Sequence, residues 1–275
     1  MRKPSIVFMG SKPAAVVALA ILVERGWDIQ AVIVARNIDL SWYGGQGIEQ
    51  LAAERGIRVF TQAELPRDLK VDFVVSYQFR NLVKPDVLAM AQRAALNFHA
   101  APLPAYGGWA FYNLAILENL ALYGCSCHHM DESFDTGPLL KVRWFPINVK
   151  EETAYSLEAR AQQEMLRLFV DVCYTAENTE NLPSVPQNKD EMRYLNRKQM
   201  EELKRIPDGA DSETIDRYSR AFWYPPFDCA YVNYNNTKVE VVPSIAKDQL
   251  GRLLHAHDLE RLRMAVSSYR PELIG

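Results

Sequence analysis

The 275-residue sequence has few cysteines and no excess of charge of either sign. Four cysteines in a chain of this length are too few for a scaffold held together by disulfides. The 31 basic and 34 acidic residues give a net charge of −3. Because the chain lacks the basic excess with which nucleic-acid-binding proteins neutralise phosphates, we expect no nucleic-acid partner.

Long hydrophobic runs are also missing from the sequence. Its N-terminal stretch has two basic residues before an apolar segment, as a signal peptide does, but Pro4, Gly10, Lys12 and Pro13 interrupt it. No stretch approaches the ~18 consecutive apolar residues of a membrane-spanning helix. With 48% hydrophobic and 24% charged residues, the composition is that of a folded globular protein. We expect a soluble cytoplasmic protein that does not bind membranes.

Short apolar runs alternate with helical patterns in the N-terminal part of the chain. The predicted strands are Ser5–Met9, Ile29–Val34, Arg58–Phe60, Val71–Val75 and Ala94–Phe98. The predicted helices between them are Ala14–Arg25, Ile48–Arg55 and Pro85–Gln92. This alternation is typical of an α/β fold with a mostly parallel sheet and short crossovers. We expect a Rossmann-like fold, which by itself indicates no activity.

The alternation weakens after Gly108. The elements predicted there are a helix at Phe111–Leu120, consecutive strands at Tyr123–Met130 and Leu139–Phe145, and a long amphipathic helix at Glu151–Tyr174. Two strands without a helix between them indicate an antiparallel extension of the sheet. The Pro- and Asn-rich residues 181–190 indicate a linker. We therefore expect one large domain at residues 1–180, and a linker with a small C-terminal domain at 181–275.

The densest polar cluster is Asn97-Phe98-His99, at the end of an apolar strand. Ligands bind at the carboxyl ends of strands in open parallel sheets. Residues two apart on a strand face the same side, so Asn97 and His99 are expected to project together. An amide donor beside an imidazole can stabilise an oxyanion and move a proton. The alternative is a strand-end Asn and His that cap local turns.

A second polar cluster, residues 131–137 (DESFDTG), lies in the predicted turn between the two late strands. Asp135 is followed by Thr136, Gly137 and a proline, which predicts a tight turn that fixes the carboxylate. A plain Asx-turn is the commoner reason for an isolated Asp-Thr-Gly. This segment therefore indicates no site when it is taken alone.

Residues 125–129 (CSCHH) have the residue types of a metal site without its spacing. Strand alternation places both cysteines on one face with His129 and turns His128 to the other face. The sequence has no second Cys/His pair at zinc-finger spacing, so we expect no metal and interpret the cysteines as packing residues. Gly10 and residues 44–47 (GGQG) match neither G-x-G-x-x-G nor a Walker motif.

Residues 220–227 (RAFWYPPF) bring four aromatic side chains together around two prolines. They form either the core of the small domain or a platform on which a planar base stacks. The region from Lys150 to Arg220 contains 11 basic and 15 acidic residues. An RNA-binding surface in this region is therefore not expected.

Taken together, these residues resemble the formyltetrahydrofolate-dependent formyltransferases. The family pattern is Asn-x-His, then a loop with Leu-Pro and glycine, and further along the chain Asp-x-Gly. Its counterparts here are Asn97-Phe98-His99, Leu103-Pro104-Ala105-Tyr106-Gly107 and Asp135-Thr136-Gly137. The resemblance is close over residues 5–145 and extends more loosely to Val242. One departure is the segment 100–102 (AAP), where many relatives carry a Ser-Leu step.

The resemblance implies transfer of a formyl group from N10-formyltetrahydrofolate, a co-substrate, to an amine. It implies that Asn97 and His99 stabilise the tetrahedral oxyanion, that His99 takes the amine proton, and that Asp135 orients His99. The residues expected to bind the folate are Phe79, Arg80, Asn81, Leu82, Val83, Leu103 and Asp131. Asp131 is expected to be solvated or to cap the turn, without a catalytic role. His128 matches a position occupied by His in the glycinamide ribonucleotide branch, and whether it has a supporting role is left open.

The acceptor amine depends on the branch of the family. The purine-biosynthesis branch is a shorter single domain, and the methionyl-tRNA branch has a basic C-terminal domain. Residues 220–227 resemble the sugar N-formyltransferases, which act on nucleotide-linked amino sugars destined for surface polysaccharides such as the O-antigen. We expect a homodimer that formylates a dTDP-, UDP- or GDP-linked amino sugar, with methionyl-tRNA as the alternative acceptor. The residues expected to bind this substrate are Gly10, Ser11, Lys12, Tyr77, Tyr106, Gly107, Trp223 and Tyr224.

A non-enzymatic interpretation, a folate-binding or regulatory relative, is also open. A relative without activity is expected to have lost one of the three residues Asn97, His99 and Asp135. All three are present here.

Overall fold

A central β-sheet organises the residues that this computed structural model describes, which are 2–10, 12–35, 47–109, 111–247 and 250–251. The elements of the first half are β1 (Ser5–Gly10), α1 (Pro13–Glu24), β2 (Asp28–Ile33), α2 (Ile48–Glu54), β3 (Val59–Phe60), β4 (Val71–Tyr77), α3 (Pro85–Leu88), β5 (Ala91–His99), β6 (Gly107–Gly108), α4 (Phe111–Leu117), β7 (Leu122–His129) and β8 (Leu139–Pro146). They are followed by α5 (Ala154–Asn178), a 3₁₀ helix (Lys189–Glu191), β9 (Tyr194–Leu195), α6 (Arg197–Leu203), α7 (Ser212–Ala221), β10 (Tyr231–Tyr234) and β11 (Thr237–Glu240).

The sheet has seven strands in the order β3-β2-β1-β4-β5-β7-β8. The strands from β3 to β5 pair in parallel, and β7 pairs antiparallel with both β5 and β8. The predicted Rossmann-like, mostly parallel sheet with an antiparallel extension is therefore confirmed.

The predicted boundary between α3 and β5 is wrong. The helix predicted at Pro85–Gln92 ends at Leu88, and β5 already begins at Ala91. Backbone pairing explains the difference, because Ala91 is in register with Val71 of β4 and the Val71 N–H donates to the Met90 carbonyl at 3.0 Å. Residues 91 and 92, which were predicted to be helical, therefore belong to strand β5.

The two faces of the sheet are covered by different helices. Phe8 of β1 belongs to the core beneath α1 and α5, whereas Val7 belongs to the core beneath α3. Phe169 of α5 meets Phe98 of β5 edge to face, with 5.0 Å between ring centroids. This contact packs α5 against the end of β5.

Helix α5 is amphipathic, and none of the described helices is both long and apolar enough to cross a membrane.

The residues after α5 return to the large sheet. Val185 pairs with Leu139 of β8, inside the segment predicted to be a linker. Strand β9 then pairs in parallel with β6, which directly follows the Leu-Pro loop. The C-terminal part of the chain therefore contributes backbone pairing beside the polar residues at the end of β5.

The C-terminal residues contribute to two cores. Ile206, Ala221 and Phe222 are buried in the main core with α5. Trp223 and Cys229 belong to a separate small cluster. The division of the chain into residues 1–180 and 181–275 stays a prediction.

Candidate active site

Four polar side chains from neighbouring strands meet at the end of β5. Asn97 and His99 lie on β5, His128 lies on β7, and Asp135 lies in the turn between β7 and β8. His99 Nδ1 and His128 Nε2 each lie 3.7 Å from Asp135 Oδ1. Asn97 is the register partner of His128, and Asn97 Nδ2 lies 3.0 Å from His128 Nε2. The structure thus brings together the three residues predicted to be catalytic and adds His128.

A hydrogen bond fixes the proton position on the His99 ring. His99 Nε2 lies 2.8 Å from the carbonyl oxygen of Tyr106, which can only accept, so Nε2 carries the proton. Nδ1 is then the basic nitrogen, and it faces Asp135. The ring also packs edge-on against Phe111, with 5.0 Å between centroids. His99 is therefore a fixed base whose protonated form would lie beside a carboxylate.

The amide of Asn97 is oriented by its neighbours on both strands. Ser76 Oγ donates to Asn97 Oδ1 at 2.7 Å. His128 Nδ1 donates to the His129 carbonyl at 2.7 Å, so His128 Nε2 accepts from Asn97 Nδ2. This arrangement uses one of the two N–H groups of Asn97. Because Asn97 lines the cleft, the second N–H is available to a bound oxyanion.

His128 and the two nearby cysteines lie on opposite faces of β7. Cys125 Sγ donates to the Ala161 carbonyl of α5 at 3.3 Å, and Cys127 is fully buried in the same core. The structure therefore has the strand alternation expected from the sequence. The cysteines pack against α5, and His128 faces the polar cluster.

The carboxylate of Asp135 is held by the backbone around it. Asp135 itself has φ +59°, in the left-handed region that Asp tolerates better than most residues. The Gly108 N–H donates to Asp135 Oδ2 at 3.0 Å. Burial alone raises the pKa of Asp135, but the His99 and His128 rings and the Gly108 N–H outweigh it and hold the pKa well below its usual range. Asp135 is therefore charged at neutral pH and can stabilise positive charge on either imidazole.

A close approach requires glycine in the Asp-Thr-Gly turn. A Cβ at Gly137 would lie 1.9 Å from the carbonyl oxygen of His129. That same carbonyl accepts the proton of His128 Nδ1. Any side chain at position 137 would therefore displace the group that orients His128.

The four polar side chains line one cleft with a volume of about 450 Å³. The predicted folate-binding residues on its wall are Phe79, Arg80, Asn81, Leu82, Val83 and Asp131. The predicted substrate-binding residues on its wall are Lys12 and Tyr224. Lys12 follows β1 and the segment 79–83 follows β4. The cleft therefore lies at the carboxyl ends of adjacent parallel strands, where open α/β sheets bind ligands.

Two aromatic residues predicted to contact substrate have their side chains in the core. Tyr77 is fully buried, and its ring stacks on Phe98 with 5.7 Å between centroids. Strand alternation explains this, because Ser76 is the β4 residue that faces Asn97. Trp223 is 7% exposed and packs in the small C-terminal cluster. These two predicted side-chain contacts are corrected: neither side chain lines the cleft, whereas Tyr224 does.

Four further residues predicted to bind ligand lie behind the cleft wall, namely Gly10, Leu103, Tyr106 and Gly107. Ser11, predicted with them, lies outside the described residues. A Cβ at Gly10 would lie 2.5 Å from a side-chain carbon of α1, so this glycine permits close packing. The Tyr106 carbonyl orients His99, and Gly107 pairs with β9. These residues support the site, and their contact with a bound ligand stays a prediction.

Sequence reasoning missed Ser76 and Glu158. Glu158 of α5 is 7% exposed, lines the cleft and pairs with Lys12 at 2.5 Å. The register of β4 with β5 sets Ser76 opposite Asn97 and could have identified Ser76. No local pattern could have identified Glu158, which is 146 residues from Lys12 in the chain.

Comparison with known proteins finds a family model that matches the part of the chain containing this arrangement. Residues 50–173 match the family model described as formyl transferase. The matched range contains Asn97, His99, His128 and Asp135. The chain contains a formyl transferase domain. The resemblance inferred from the sequence is therefore confirmed.

Relatives of this formyl transferase domain cover most of the chain. GDP-perosamine N-formyltransferase from Brucella melitensis biotype 1 is 29% identical over 234 residues, which are 82% of this chain and 86% of that protein. The N-formyltransferase from Helicobacter canadensis in complex with folinic acid and dTDP-3-aminofucose superposes with a TM-score of 0.71 at 24% identity, over 85% of each chain. A 4-N formyltransferase from Francisella tularensis also has a TM-score of 0.71, at 19% identity, over 87% of this chain and 96% of its own.

The contacts of Asp135 generate a first prediction. Asp135→Asn keeps the size of the side chain and removes the charge beside the two imidazoles. We expect kcat for formyl transfer to fall about 10²–10⁴-fold, the usual range for disabled acid–base catalysis. KM for both substrates should change only a few-fold, because the loss is confined to the transition state. Steady-state kinetics measures both quantities.

Asp131→Asn is the matched control in the same turn. Asp131 Oδ1 accepts from the Ser133 N–H at 3.0 Å and from Thr136 Oγ1 at 2.6 Å, and an asparagine oxygen can accept both bonds. The kcat of this variant should stay near that of the wild type. If Asp131→Asn loses activity and Asp135→Asn keeps it, the assignment of the carboxylate is wrong.

Proposed function

We propose that this protein transfers the formyl group of N10-formyltetrahydrofolate to the amine of a nucleotide-linked amino sugar. The observation that carries the proposal is the convergence of Asn97, His99 and Asp135 on the wall of one cleft. The GDP-perosamine N-formyltransferase relative and the Helicobacter canadensis enzyme with its folate and dTDP-sugar support the choice of both substrates. Membership of the formyl transferase family supports the reaction type.

In the proposed reaction the unprotonated amine attacks the formyl carbon and forms a new C–N bond. The carbonyl electron pair moves to oxygen, and the second N–H of Asn97 stabilises the resulting oxyanion. His99 Nδ1 accepts the proton that the amine nitrogen loses, and Asp135 stabilises the imidazolium. The oxyanion then collapses, the bond from carbon to folate N10 breaks, and N10 takes the proton that His99 Nδ1 accepted, which returns His99 to its neutral form. The products are an N-formyl sugar and tetrahydrofolate, without a metal in the mechanism.

The proposed folate site is the side of the cleft formed by residues 79–83 and the β7–β8 turn. Leu82 and Phe134 are 42% and 43% exposed, and both line the cleft. They offer apolar surface to the folate rings, and backbone groups of residues 79–83 are available to the polar edge of the pterin. Asp131 lines the same side.

The proposed nucleotide site is the opposite side of the cleft, at α5 and the C-terminal region. Tyr224 and Phe227 line the cleft with 5.7 Å between their ring centroids. Aromatic faces of this kind can stack on a nucleobase of any type. Lys12 and Lys204 line the same cavity, where each is paired with a carboxylate, Glu158 at 2.5 Å and Glu201 at 2.9 Å. A bound diphosphate would compete with these carboxylates for the two ammonium groups.

The proposal includes the setting in which the enzyme works. We propose a cytoplasmic homodimer, with the formylated sugar destined for a surface polysaccharide. The homodimer and the destination of the sugar follow from the resemblance to the sugar N-formyltransferases, and the cytoplasmic location is the expectation from the sequence.

A panel of acceptors tests the proposed substrate class. Purified protein is incubated with N10-formyltetrahydrofolate and dTDP-, UDP- and GDP-linked amino sugars, and each acceptor is followed by mass spectrometry. We expect a gain of one formyl group on at least one sugar nucleotide and none on initiator methionyl-tRNA. Efficient formylation of the tRNA with none of the sugars modified would contradict the proposal. The salt dependence of binding is a second criterion. A tRNA held by 6–10 phosphate contacts would lose roughly 10³–10⁵-fold in affinity when the salt concentration rises from about 50 to 200 mM, whereas a single diphosphate should lose far less.

The aromatic side chains generate a further prediction. Tyr224→Ala should weaken binding of the sugar nucleotide by ~1–3 kcal/mol, the worth of one lost base stack. Binding of the folate and the melting temperature should hardly change. Trp223→Ala is the contrasting variant, because Trp223 is buried and its loss should lower the melting temperature. Calorimetric titration that finds unchanged sugar-nucleotide affinity for Tyr224→Ala would exclude the stacking role.

A further inference from the structure

Gln187, in the segment predicted to be a linker, contacts the Asp-Thr-Gly turn from behind the cleft. Its Nε2 donates to the carbonyl oxygen of Asp135 at 2.8 Å and to that of Gly137 at 2.7 Å. Both partners are carbonyl oxygens, which only accept, so the NH₂ end of the amide must face them. One side chain therefore holds the backbone on both sides of Thr136.

These two bonds join parts of the chain that are distant in sequence. Gln187 lies 52 residues after Asp135 and 50 after Gly137. Its Oε1 is buried and has no hydrogen-bond partner among the described residues. The hydrogen bonds of this amide are therefore concentrated on the turn.

The backbone of the turn has a conformation that needs external contacts. Asp135 adopts φ +59°, which costs an ordinary residue free energy and persists where surrounding contacts determine it. Gly137 is pressed against the His129 carbonyl. The two carbonyls that Gln187 binds flank this strained region.

The segment that carries Gln187 leads into the strand that pairs with the donor of the Asp135 side chain. Strand β9 follows Gln187 and pairs with β6. Gly108 of β6 donates its N–H to Asp135 Oδ2. One segment thus fixes the main chain of Asp135 through Gln187 and its carboxylate through β6.

We propose that Gln187 is a positioning residue that sets the Asp135 carboxylate against His99. The proposal rests on the proposed function, in which Asp135 stabilises the protonated His99. Gln187 does not line the cleft, so it acts on the reaction only through the turn.

Gln187→Met tests the proposal, because methionine keeps the length and volume and removes both donors. We expect kcat to fall about 10²-fold, as for a misplacement of roughly 1 Å in a catalytic group, with KM for both substrates within a few-fold. The same substitution in an Asp135→Asn background should cause no additional loss. Asn188→Ala is the matched control: Asn188 Oδ1 accepts from the Asp190 N–H in the 3₁₀ helix, and its loss should leave kcat unchanged.

The outcomes separate the two claims. A full additional loss in the Asp135→Asn background would overturn the positioning role of Gln187 and leave the proposed function standing. Wild-type kcat for Asp135→Asn alone would overturn the proposed function itself. Hydrogen exchange at the Gly108 amide gives a readout that needs no acceptor: exchange should accelerate in Gln187→Met and stay unchanged in Asn188→Ala. Equal exchange in Gln187→Met and wild type would overturn the proposal.

Gln187→Glu covers the case in which Gln187→Met does not fold. An ionised carboxylate repels the two carbonyls, whereas a protonated carboxyl group can donate one bond. We expect the ratio of its kcat to that of the wild type to rise as the pH falls towards 5. A ratio that does not change with pH would overturn the proposal.

Discussion

The buried carboxylate of Asp135 imposes the strongest constraint on this fold, because a charge removed from water must be met by donors at fixed positions. Its side chain is only 11% exposed. The Gly108 N–H donates to it at 3.0 Å, and His99 and His128 each place a basic ring nitrogen 3.7 Å away that would become a donor on protonation. The fold therefore has to bring three strands, β5, β6 and β7, and the β7–β8 turn to one point.

Several other features of the chain follow from that constraint. The antiparallel register of β5 and β7 sets Asn97 opposite His128, so that one amide orients the imidazole and keeps a donor for the cleft. Glycine is required at positions 108 and 137, where a Cβ would collide with the carbonyl oxygens of Leu195 and His129 at 2.5 and 1.9 Å. After α5 the chain returns to the site, where β9 pairs with β6, the strand that contains Gly108. What looked like a linker is thus a structural part of the site.

The sequence was sufficient to predict the features that leave a local pattern. Strand-end polar residues marked Asn97 and His99, and the order of motifs along the chain added Asp135. The wrong end of the helix predicted at Pro85–Gln92 and the core position of Tyr77 have one physical cause. Pairing between strands decides where a strand begins and which side chains face the core, and a short segment does not show which strand it will pair with. The contacts of Gln187 could not be predicted for a related reason. A hydrogen bond between residues about fifty positions apart leaves no local pattern in either segment.

The claim that His99 and Asp135 work as one unit is tested most directly by a double-mutant cycle on kcat. The variants are His99→Gln, Asp135→Asn and the pair, each assayed with the acceptor that the sugar-nucleotide panel identifies. Residues that act as a unit show strongly non-additive losses, so the double variant should be no more than a few-fold slower than the slower single variant. A double variant whose loss equals the product of the two single losses would contradict the account.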